Sequence, residues 1–338
     1  MKTEITNNRI DILDYLRGFA LIGILLVNVP FFFLKLDPPS PNSIDTSYQR
    51  FLYLFVEGRF MTIFTFLFGI GFYIFITRAK AKNDNAYLLF IRRLIILFAM
   101  GLVHLMFIGY GDALAVYAVF GLFLMPFYRV NKHINLILAL LGIMYASYLG
   151  DKVLLIFPIF LSGLTAGQYR IFENISDNKW KFKVFTIIAF VLSVIVLWFQ
   201  YKHAPSVIPN LETGGAAVNA KDFVRLGIKI SPIVSACYVG ILILLLQYSW
   251  VQKLLSPLKT YGRMSLTMYL SQTALVLLFN YCFQLSGNIT YFQSLFLCIG
   301  IYVIQILFSM VWFQFFKMGP VEWLWKICTY WKVVPNKK

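Results

Sequence analysis

A few polar side chains interrupt long apolar stretches of the chain, and their types could carry out acid–base chemistry. Asn28, His104 and Asp112 each lie inside or at the edge of such a stretch. Ionisable groups within a membrane span are rare and are usually functional. An imidazole that faces a carboxylate is held in one tautomer and becomes more basic, so it can take a proton from a hydroxyl or an amine. We predict His104 as a general base, Asp112 as its orienting partner, and Asn28 as a third polar member of the site.

A second set of polar residues is predicted to contact substrate. Glu57 and Arg59 lie at the outer end of the second apolar segment, and Tyr269 and Gln272 lie with Ser265 on one face of a later helix. The alternative to substrate contact is a purely structural role for these groups. Polar side chains in spans form interhelical hydrogen bonds worth about 1 kcal/mol each, and Glu57 and Arg59 could pair with each other.

Four arginines lie at the opposite ends of the apolar segments, namely Arg17, Arg92, Arg93 and Arg263. A guanidinium group binds phosphate through two parallel hydrogen bonds, so these residues are predicted to hold a phosphorylated ligand. They fit equally well as basic anchors at a membrane surface. The four cysteines have no CxxC spacing, so neither a metal site nor a disulfide framework is predicted.

The composition defines the elements that must position these groups. The chain has 338 residues, 60% hydrophobic and 13% charged, with a mean hydropathy of +0.75. Soluble domains are about 45–50% apolar and about 25% charged, so a soluble globular protein is excluded. A spanning helix needs about 20 apolar residues, which leaves room for about ten spans and no soluble domain.

Ten apolar segments are predicted to be spanning helices of one all-α domain, residues 1–338. They cover approximately residues 16–34, 60–77, 92–110, 112–128, 134–150, 153–169, 184–200, 224–248, 264–283 and 292–316. If both termini are cytoplasmic, 22 Lys and Arg residues fall on the cytoplasmic side and 8 on the other. The positive-inside rule therefore predicts an N-in, C-in protein and explains the net charge of +16 without nucleic-acid binding.

Several ordered motifs make the chain resemble the YeiB-like family of bacterial membrane proteins. They are residues 9–28 (RIDILDYLRGFALIGILLVN), 57–59 (EGR), 66–72 (FLFGIGF), 101–104 (GLVH), 111–112 (GD), 117–118 (YA), 262–267 (GRMSLT) and 319–325 (GPVEWLW). The resemblance implies a four-helix unit with the site at residues 9–128 and a C-terminal family region of unknown function at 224–338.

This family is similar to a wider group of transmembrane acyltransferases that includes heparan-alpha-glucosaminide N-acetyltransferase. In that group, acyl-CoA from the cytoplasm supplies an acyl group to a sugar across the membrane. The resemblance implies that Asn28 belongs to the site. In the sugar acetyltransferase a catalytic histidine follows this asparagine, whereas here residues 29–38 contain none, which would leave the role to His104.

We therefore expect a multi-pass acyltransferase of the bacterial cell membrane. Acyl-CoA would dock at the four arginines, and the acceptor would be an extracytoplasmic sugar or envelope glycopolymer. Membrane lipids are the other expected partners, and a homodimer is one option. The alternatives are a transporter or flippase of an amphiphilic metabolite, with the polar groups as its binding or proton-relay site, and a non-catalytic membrane scaffold.

Overall fold

The structure is a computed structural model of the chain. It describes residues 10–34, 36–108, 112–173, 175, 178–206, 208 and 218–338, without the side chains of residues 108, 218 and 219. The predicted tight turn at residues 109–111, between the helices that carry His104 and Asp112, lies outside the described residues, as does residue 9 of the first motif.

The described residues form fourteen α-helices. The helices are α1 (Asp11–Asn28), α2 (Ile44–Phe51), α3 (Arg59–Ala81), α4 (Ala86–Ile108), α5 (Ala113–Leu124), α6 (Lys132–Leu149), α7 (Lys152–Gln168), α8 (Lys179–Lys202), α9 (Val218–Leu245), α10 (Ser249–Leu254), α11 (Ser256–Arg263), α12 (Ser265–Phe283), α13 (Tyr291–Phe315) and α14 (Pro320–Tyr330). One-turn π-helical segments follow α1 and α2, and a 3₁₀ turn follows α5. No strand occurs among the described residues beyond an isolated pairing of Phe316 with Lys337.

The prediction of an all-α multi-pass membrane protein is confirmed. Eight helical segments of the described chain are long and apolar enough to cross a membrane. Two shorter apolar helices, Ala113–Arg129 and Lys152–Gln168, account for the remaining predicted spans. A helix satisfies its own backbone hydrogen bonds, which is why a chain of this hydropathy folds as a bundle of helices.

The connection between α6 and α7 consists of two residues, Gly150 and Asp151. Gly150 ends α6 in the left-handed conformation, with φ +68°, which favours glycine. The next residue, Asp151, caps α7, because its carboxylate accepts the backbone N–H groups of Val153 and Leu154 at 2.7 and 3.1 Å. A reversal and a new helix start therefore need only two residues.

Small residues allow α3 and α7 to cross closely at the centre of the bundle. A Cβ atom on Gly69 would lie 2.0 Å from the carbonyl oxygen of Phe160, and one on Gly163 would lie 2.1 Å from that of Phe66. Helices in membranes associate through this kind of close backbone contact, because burial of apolar surface gives little advantage in lipid.

Helix α14 contacts the ends of α4 and α12 that are predicted to be cytoplasmic. The indole N–H of Trp325 donates to the carbonyl oxygen of Arg93 at 2.9 Å, which connects α14 to α4. The carboxylate of Glu322 accepts the backbone N–H groups of Leu266 and Thr267 at 2.7 and 3.1 Å, which connects α14 to the start of α12. These contacts bring the basic ends of α4 and α12 to one place.

Candidate functional site

The predicted pairing of His104 with Asp112 is present, and a threonine completes it. His104, at 6% exposure, places Nδ1 3.3 Å from Oδ1 of Asp112. Its Nε2 lies 2.7 Å from the hydroxyl oxygen of Thr273 on α12. Nδ1 makes no hydrogen bond within the described residues, so its interaction with Asp112 is electrostatic. A proton on Nδ1 would face the carboxylate and leave Nε2 to accept the hydrogen of the Thr273 hydroxyl, which is the tautomer required of a general base.

Asp112 has two roles at this point of the fold. Its side chain caps α5 by accepting the backbone N–H of Leu114 at 3.2 Å, as expected for an aspartate before a helix start. The same oxygen accepts the hydroxyl of Tyr269 at 2.9 Å. The other carboxylate oxygen is buried and has no hydrogen-bond partner among the described residues. The cap fixes the carboxylate, so His104 and Tyr269 meet a rigid acceptor.

Tyr269 separates His104 from a large cavity at the basic end of the bundle. The cavity has a volume of about 500 Å³, within the range of small-molecule sites. Tyr269 and Tyr117 line its inner part, and phenylalanines of α3 and α4 line its walls. The rings of His104 and Tyr269 are 5.2 Å apart between centroids. One aromatic side chain therefore stands between the cavity and the imidazole.

Six basic side chains and one carboxylate, Glu322, line this cavity. The basic residues are Arg17, Arg78, Lys82, Arg93, Arg263 and Lys326. Three of the four predicted phosphate-binding arginines are therefore at one site, although they lie far apart in the chain. Arg17 also contacts Asp14 at 3.0 Å, and the guanidinium groups of Arg93 and Arg263 stack on Trp325 and Phe313. The excess of positive charge suits an anionic ligand.

Burial shifts the pKa of two side chains of α14 at this cavity. It raises the pKa of the Glu322 carboxyl, although the hydrogen bonds from Leu266 and Thr267 act in the opposite direction. Burial, together with the charge of Lys82, lowers the pKa of Lys326.

Arg92 does not belong to the cavity lining. Its guanidinium lies 3.9 Å from the ring of Trp331, on a different face of α4 from Arg93. Successive residues of a helix point about 100° apart, so two adjacent arginines rarely reach one site. The structure therefore does not bring Arg92 to the other predicted phosphate ligands, and its interaction with Trp331 is that of a surface anchor.

Asn28 is not brought to His104. Gln272 donates to the carbonyl oxygen of Leu21 at 3.3 Å, so the adjacent Thr273, and with it His104, lies near the level of Leu21. Asn28 is seven residues further along α1, about 10 Å towards the outer side. It makes no side-chain hydrogen bond with His104 or Asp112 in the described chain. Asn28 is therefore not among the residues that the structure brings into hydrogen-bond contact with His104.

Glu57 and Arg59 form a separate cluster rather than joining the His104 site. The carboxylate of Glu57 pairs with Lys152 at the start of α7. Arg59 is fully buried and donates to the Glu57 carbonyl oxygen at 2.6 Å and to Gln200 Oε1 at 2.8 Å. These contacts connect α3 with α7 and α8. The sequence allowed a structural role in which Glu57 and Arg59 pair with each other. The structure shows a structural role, but the carboxylate of Glu57 pairs with Lys152 and the guanidinium of Arg59 bonds to Gln200.

Of the two α12 residues predicted to contact substrate, Tyr269 lies at the cavity and Gln272 does not line it. The amide of Gln272 donates to the hydroxyl of Tyr261 at 2.7 Å as well as to Leu21. Sequence reasoning missed Thr273 as the partner of His104. A signal existed, because Tyr269 and Thr273 are four residues apart and so lie on one helical face. Both of them come from α12, so the site extends beyond the predicted four-helix unit at residues 9–128.

Comparisons with known proteins give a family described as having unknown function and several bacterial relatives. A family model described as "Protein of unknown function (DUF418)" matches residues 166–332. No solved structure matches the chain.

Three full-length relatives are bacterial. The chain is 47% identical to the "Uncharacterized 39.9 kDa protein in amylase 3'region" of Bacillus acidopullulyticus, over 96% of this chain and 94% of the relative. It is 25% identical to "Uncharacterized protein YxaH" of Bacillus subtilis (strain 168), over 100% of this chain and 98% of the relative. It is also 25% identical to "Uncharacterized protein YeiB" of Escherichia coli (strain K12), over 94% and 95%.

Proposed function

The chain belongs to the YeiB-like (DUF418) family of multi-pass membrane proteins, and we propose that it is an acyltransferase using acyl-CoA as donor. The observation that carries the proposal is a cavity that has six basic side chains and also contains Tyr269, the tyrosine bonded to Asp112. The cavity begins among six cations and reaches Tyr269, whose hydroxyl is bonded to the carboxylate that faces His104. A donor with phosphates at one end and a thioester at the other fits this arrangement.

The charges and walls of the cavity match the parts of acyl-CoA. Its three phosphate groups would contact the arginines and lysines, since charge-assisted bonds to phosphate are strong and directional. The pantetheine arm and the acyl group would follow the aromatic walls inwards. Trp325 and Tyr330, at the same opening, offer faces on which the adenine base can stack.

The chemistry would take place around Tyr269 and His104. His104 removes the proton of the acceptor hydroxyl or amine through Nε2, and Asp112 stabilises the imidazolium that forms. Tyr269 lines the cavity, so we assign to it, in place of Asn28, the role of polarising the thioester carbonyl; its hydroxyl would exchange its hydrogen bond to Asp112 for one to the carbonyl oxygen. Such a reaction leaves CoA on the side from which it entered.

The proposed location is the bacterial cell membrane. The chain is a multi-pass membrane protein, and its relatives come from bacteria. The basic ends of the helices would face the cytoplasm, where acyl-CoA is made, in agreement with the positive-inside rule.

Calorimetric titration of the purified protein with CoA tests the proposal before any acceptor is known. We expect Arg263→Ala to weaken CoA binding about tenfold, since a hydrogen bond to a charged group contributes about 1.5–3 kcal/mol and this one is partly exposed to solvent. Arg92→Ala is the matched control, because Arg92 has the same charge and lies next to Arg93 but stacks on Trp331 outside the cavity. Its affinity for CoA should be unchanged.

The transfer step is tested separately with His104→Ala. This variant should bind CoA normally and lose acyl transfer, because Tyr269 stands between the imidazole and the cavity. Failure of the folded protein to bind CoA, or equal losses in Arg263→Ala and Arg92→Ala, would contradict the proposal.

A transporter of an amphiphilic anion is the second function that the geometry favours. The supporting observation is that the basic cavity ends at a single aromatic residue in front of a buried acid–base pair, as in a gated proton-coupled pathway. A transporter would show no thioester consumption, and His104→Ala would change the pH dependence of uptake or efflux.

A further inference from the structure

A second cavity lies between α6, α7, α8 and α9 and against α3. Its volume is about 680 Å³, and fourteen of its twenty-one lining residues are apolar. It shares no lining residue with the basic cavity. Leu140 of α6 and Phe185 of α8 line it and are 52% and 49% exposed, which indicates an opening between these two helices. The cavity is therefore accessible from the bilayer.

The charged side chains of this cavity are at one end. Arg170 follows the end of α7, and Lys181 is in the first turn of α8. Tyr169 lines the same end. Its hydroxyl lies 2.7 Å from Nδ1 of His133, and the ammonium group of Lys132 lies 4.7 Å from the centre of its ring. Three positive charges, from the ends of α6, α7 and α8, therefore meet at the end that the positive-inside rule assigns to the cytoplasm.

The rest of the cavity suits a hydrocarbon chain. Three hydroxyl side chains line it, those of Thr62, Ser162 and Ser235, and they donate to backbone carbonyl oxygens at 2.8, 2.7 and 2.8 Å. Because these hydrogens are already bonded, they require no polar ligand. Along α7 the lining extends from Arg170 back to Ile159, eleven residues or about 16 Å. One leaflet of hydrocarbon is about 15 Å thick, so one acyl chain fits along the cavity.

The charges at the basic end favour an anionic head group. No described residue of the lining is an aspartate or a glutamate. A carboxylate oxygen of Glu173 lies 3.9 Å from Nε of Arg170, but the two side chains are 44% and 43% exposed, and an exposed pair contributes little. A phosphate accepts two parallel N–H groups of a guanidinium, whereas an ammonium group on the lipid would be repelled. Basic pockets between spanning helices on the cytoplasmic side are typical sites for anionic lipids.

Arg170 occupies a backbone position that favours glycine. Its φ is +52°, and the N–H groups of Arg170 and Ile171 donate to the carbonyl oxygens of Gly167 and Ala166 at 2.9 and 3.1 Å. This is the bonding of a helix end that usually has glycine in the left-handed position. Replacement of Arg170 by glycine therefore removes the guanidinium and suits the backbone, which separates ligand binding from folding.

We propose that this cavity binds an anionic phospholipid of the cytoplasmic leaflet, with its phosphate at Arg170 and Lys181 and one acyl chain along α7 towards Ile159. The inference does not depend on the proposed acyltransferase function, because the two cavities are lined by different residues. A lipid in this position contacts α6, α7, α8 and α9 together, so its binding should also raise the unfolding temperature of the protein.

Native mass spectrometry of the full-length protein, released from detergent, measures this binding directly. The probes are phosphatidylglycerol and phosphatidylethanolamine with identical acyl chains, and glycerol 3-phosphate as a phosphate without chains. We expect phosphatidylglycerol to bind about tenfold more tightly than phosphatidylethanolamine, and glycerol 3-phosphate not to bind. Arg170→Gly and Lys181→Ala should each weaken the binding of phosphatidylglycerol about tenfold, since each removes a charge-assisted contact with the phosphate.

Matched variants control for charge, for volume and for folding. Lys183→Ala should bind as the unmodified protein does, because Lys183 is exposed two residues after Lys181 and does not line the cavity. Ala236→Phe fills the cavity from α9 and should weaken binding, whereas Val194→Phe, at a position 52% exposed on α8 outside the cavity, should not. Without lipid, Arg170→Gly should unfold no earlier than the unmodified protein, so its loss of binding is not a loss of structure.

Several results would overturn the proposal. They are equal affinity for the two phospholipids, equal weakening in Lys181→Ala and Lys183→Ala, and binding of glycerol 3-phosphate alone, which would indicate a site for free phosphate. Arg263→Ala, in the basic cavity, should bind phosphatidylglycerol normally. A loss in this variant with none in Arg170→Gly would assign the lipid to the basic cavity and overturn the proposal as well. None of these measurements involves CoA, so the lipid site and the acyltransferase function are tested separately.

Discussion

Glu322 stabilises the start of α12 from outside that helix, and its removal makes a quantitative prediction. The first backbone N–H groups of a helix have no partner within it. Here those of Leu266 and Thr267 donate to Oε1 of Glu322 at 2.7 and 3.1 Å, and the Thr267 hydroxyl donates to Oε2 at 2.5 Å. We expect Glu322→Ala to lower the free energy of unfolding by about 2–4 kcal/mol, because two buried donors are left unpaired at about 1–3 kcal/mol each.

Glu322→Gln separates the cap from the charge. Its amide oxygen still accepts both backbone N–H groups, so the loss at neutral pH should be about 1 kcal/mol or less. Burial raises the pKa of Glu322 above its ordinary value of 4.5. For a group whose pKa is raised on folding, the stabilisation is complete below the ordinary pKa and is lost as the pH rises through the folded pKa. The unmodified protein should therefore lose this contribution as the pH increases from about 4.5, and Glu322→Gln should not.

The assay is thermal unfolding in detergent, followed by tryptophan fluorescence over a series of pH values. Glu322→Ala should unfold several degrees below the unmodified protein, and the curve of Glu322→Gln against pH should be flatter. The reasoning about the cap is refuted if Glu322→Ala unfolds at the temperature of the unmodified protein. The reasoning about the charge is refuted if the unmodified protein and Glu322→Gln respond to pH in the same way.

Two further predictions concern packing and orientation. Gly163→Ala should destabilise the protein by about 1–3 kcal/mol, since its Cβ would lie 2.1 Å from the Phe66 carbonyl oxygen. The control is Gly300→Ala, which has open space around it and should be neutral or stabilising. Equal unfolding temperatures of the two variants would exclude a close crossing of α3 and α7. Single cysteines at Ser43 and Lys202, in a background without the native cysteines, should react with a membrane-impermeant maleimide in intact cells, whereas one at Lys181 should react only after lysis. Labelling of position 181 from outside would reverse the assigned orientation.

The spans were predictable because the information for each one is local. A run of about 20 apolar residues forms a helix in lipid whatever its neighbours are, and all ten predicted segments correspond to helices. The contact of His104 with Asp112 was predictable for the same reason, since the two residues are only eight positions apart in the chain.

The remaining contacts depend on how helices pack, which the local pattern does not contain. Thr273 is 169 residues from His104, and the pair forms only because α4 and α12 are neighbours. Arg92 and Arg93 are indistinguishable by charge and depth, and the rotation of α4 alone decides which of them reaches the cavity. In the same way, Glu57 was expected to pair with Arg59 or to face the site, whereas the packing of α3 against α7 supplies Lys152.

A single helix connects every part of the proposed reaction. Arg263, immediately before α12, and Tyr269 both line the cation-rich cavity, and Thr273 contacts His104. From Ser265 to Thr273 the helix rises about 12 Å, so these groups are held at fixed spacing by one rigid element. Because Glu322 holds the start of α12 against α14, a ligand at the cations contacts the same unit that positions Tyr269 and Thr273. The cap at Glu322 and the cavity lining therefore belong to the same rigid unit as Tyr269 and Thr273.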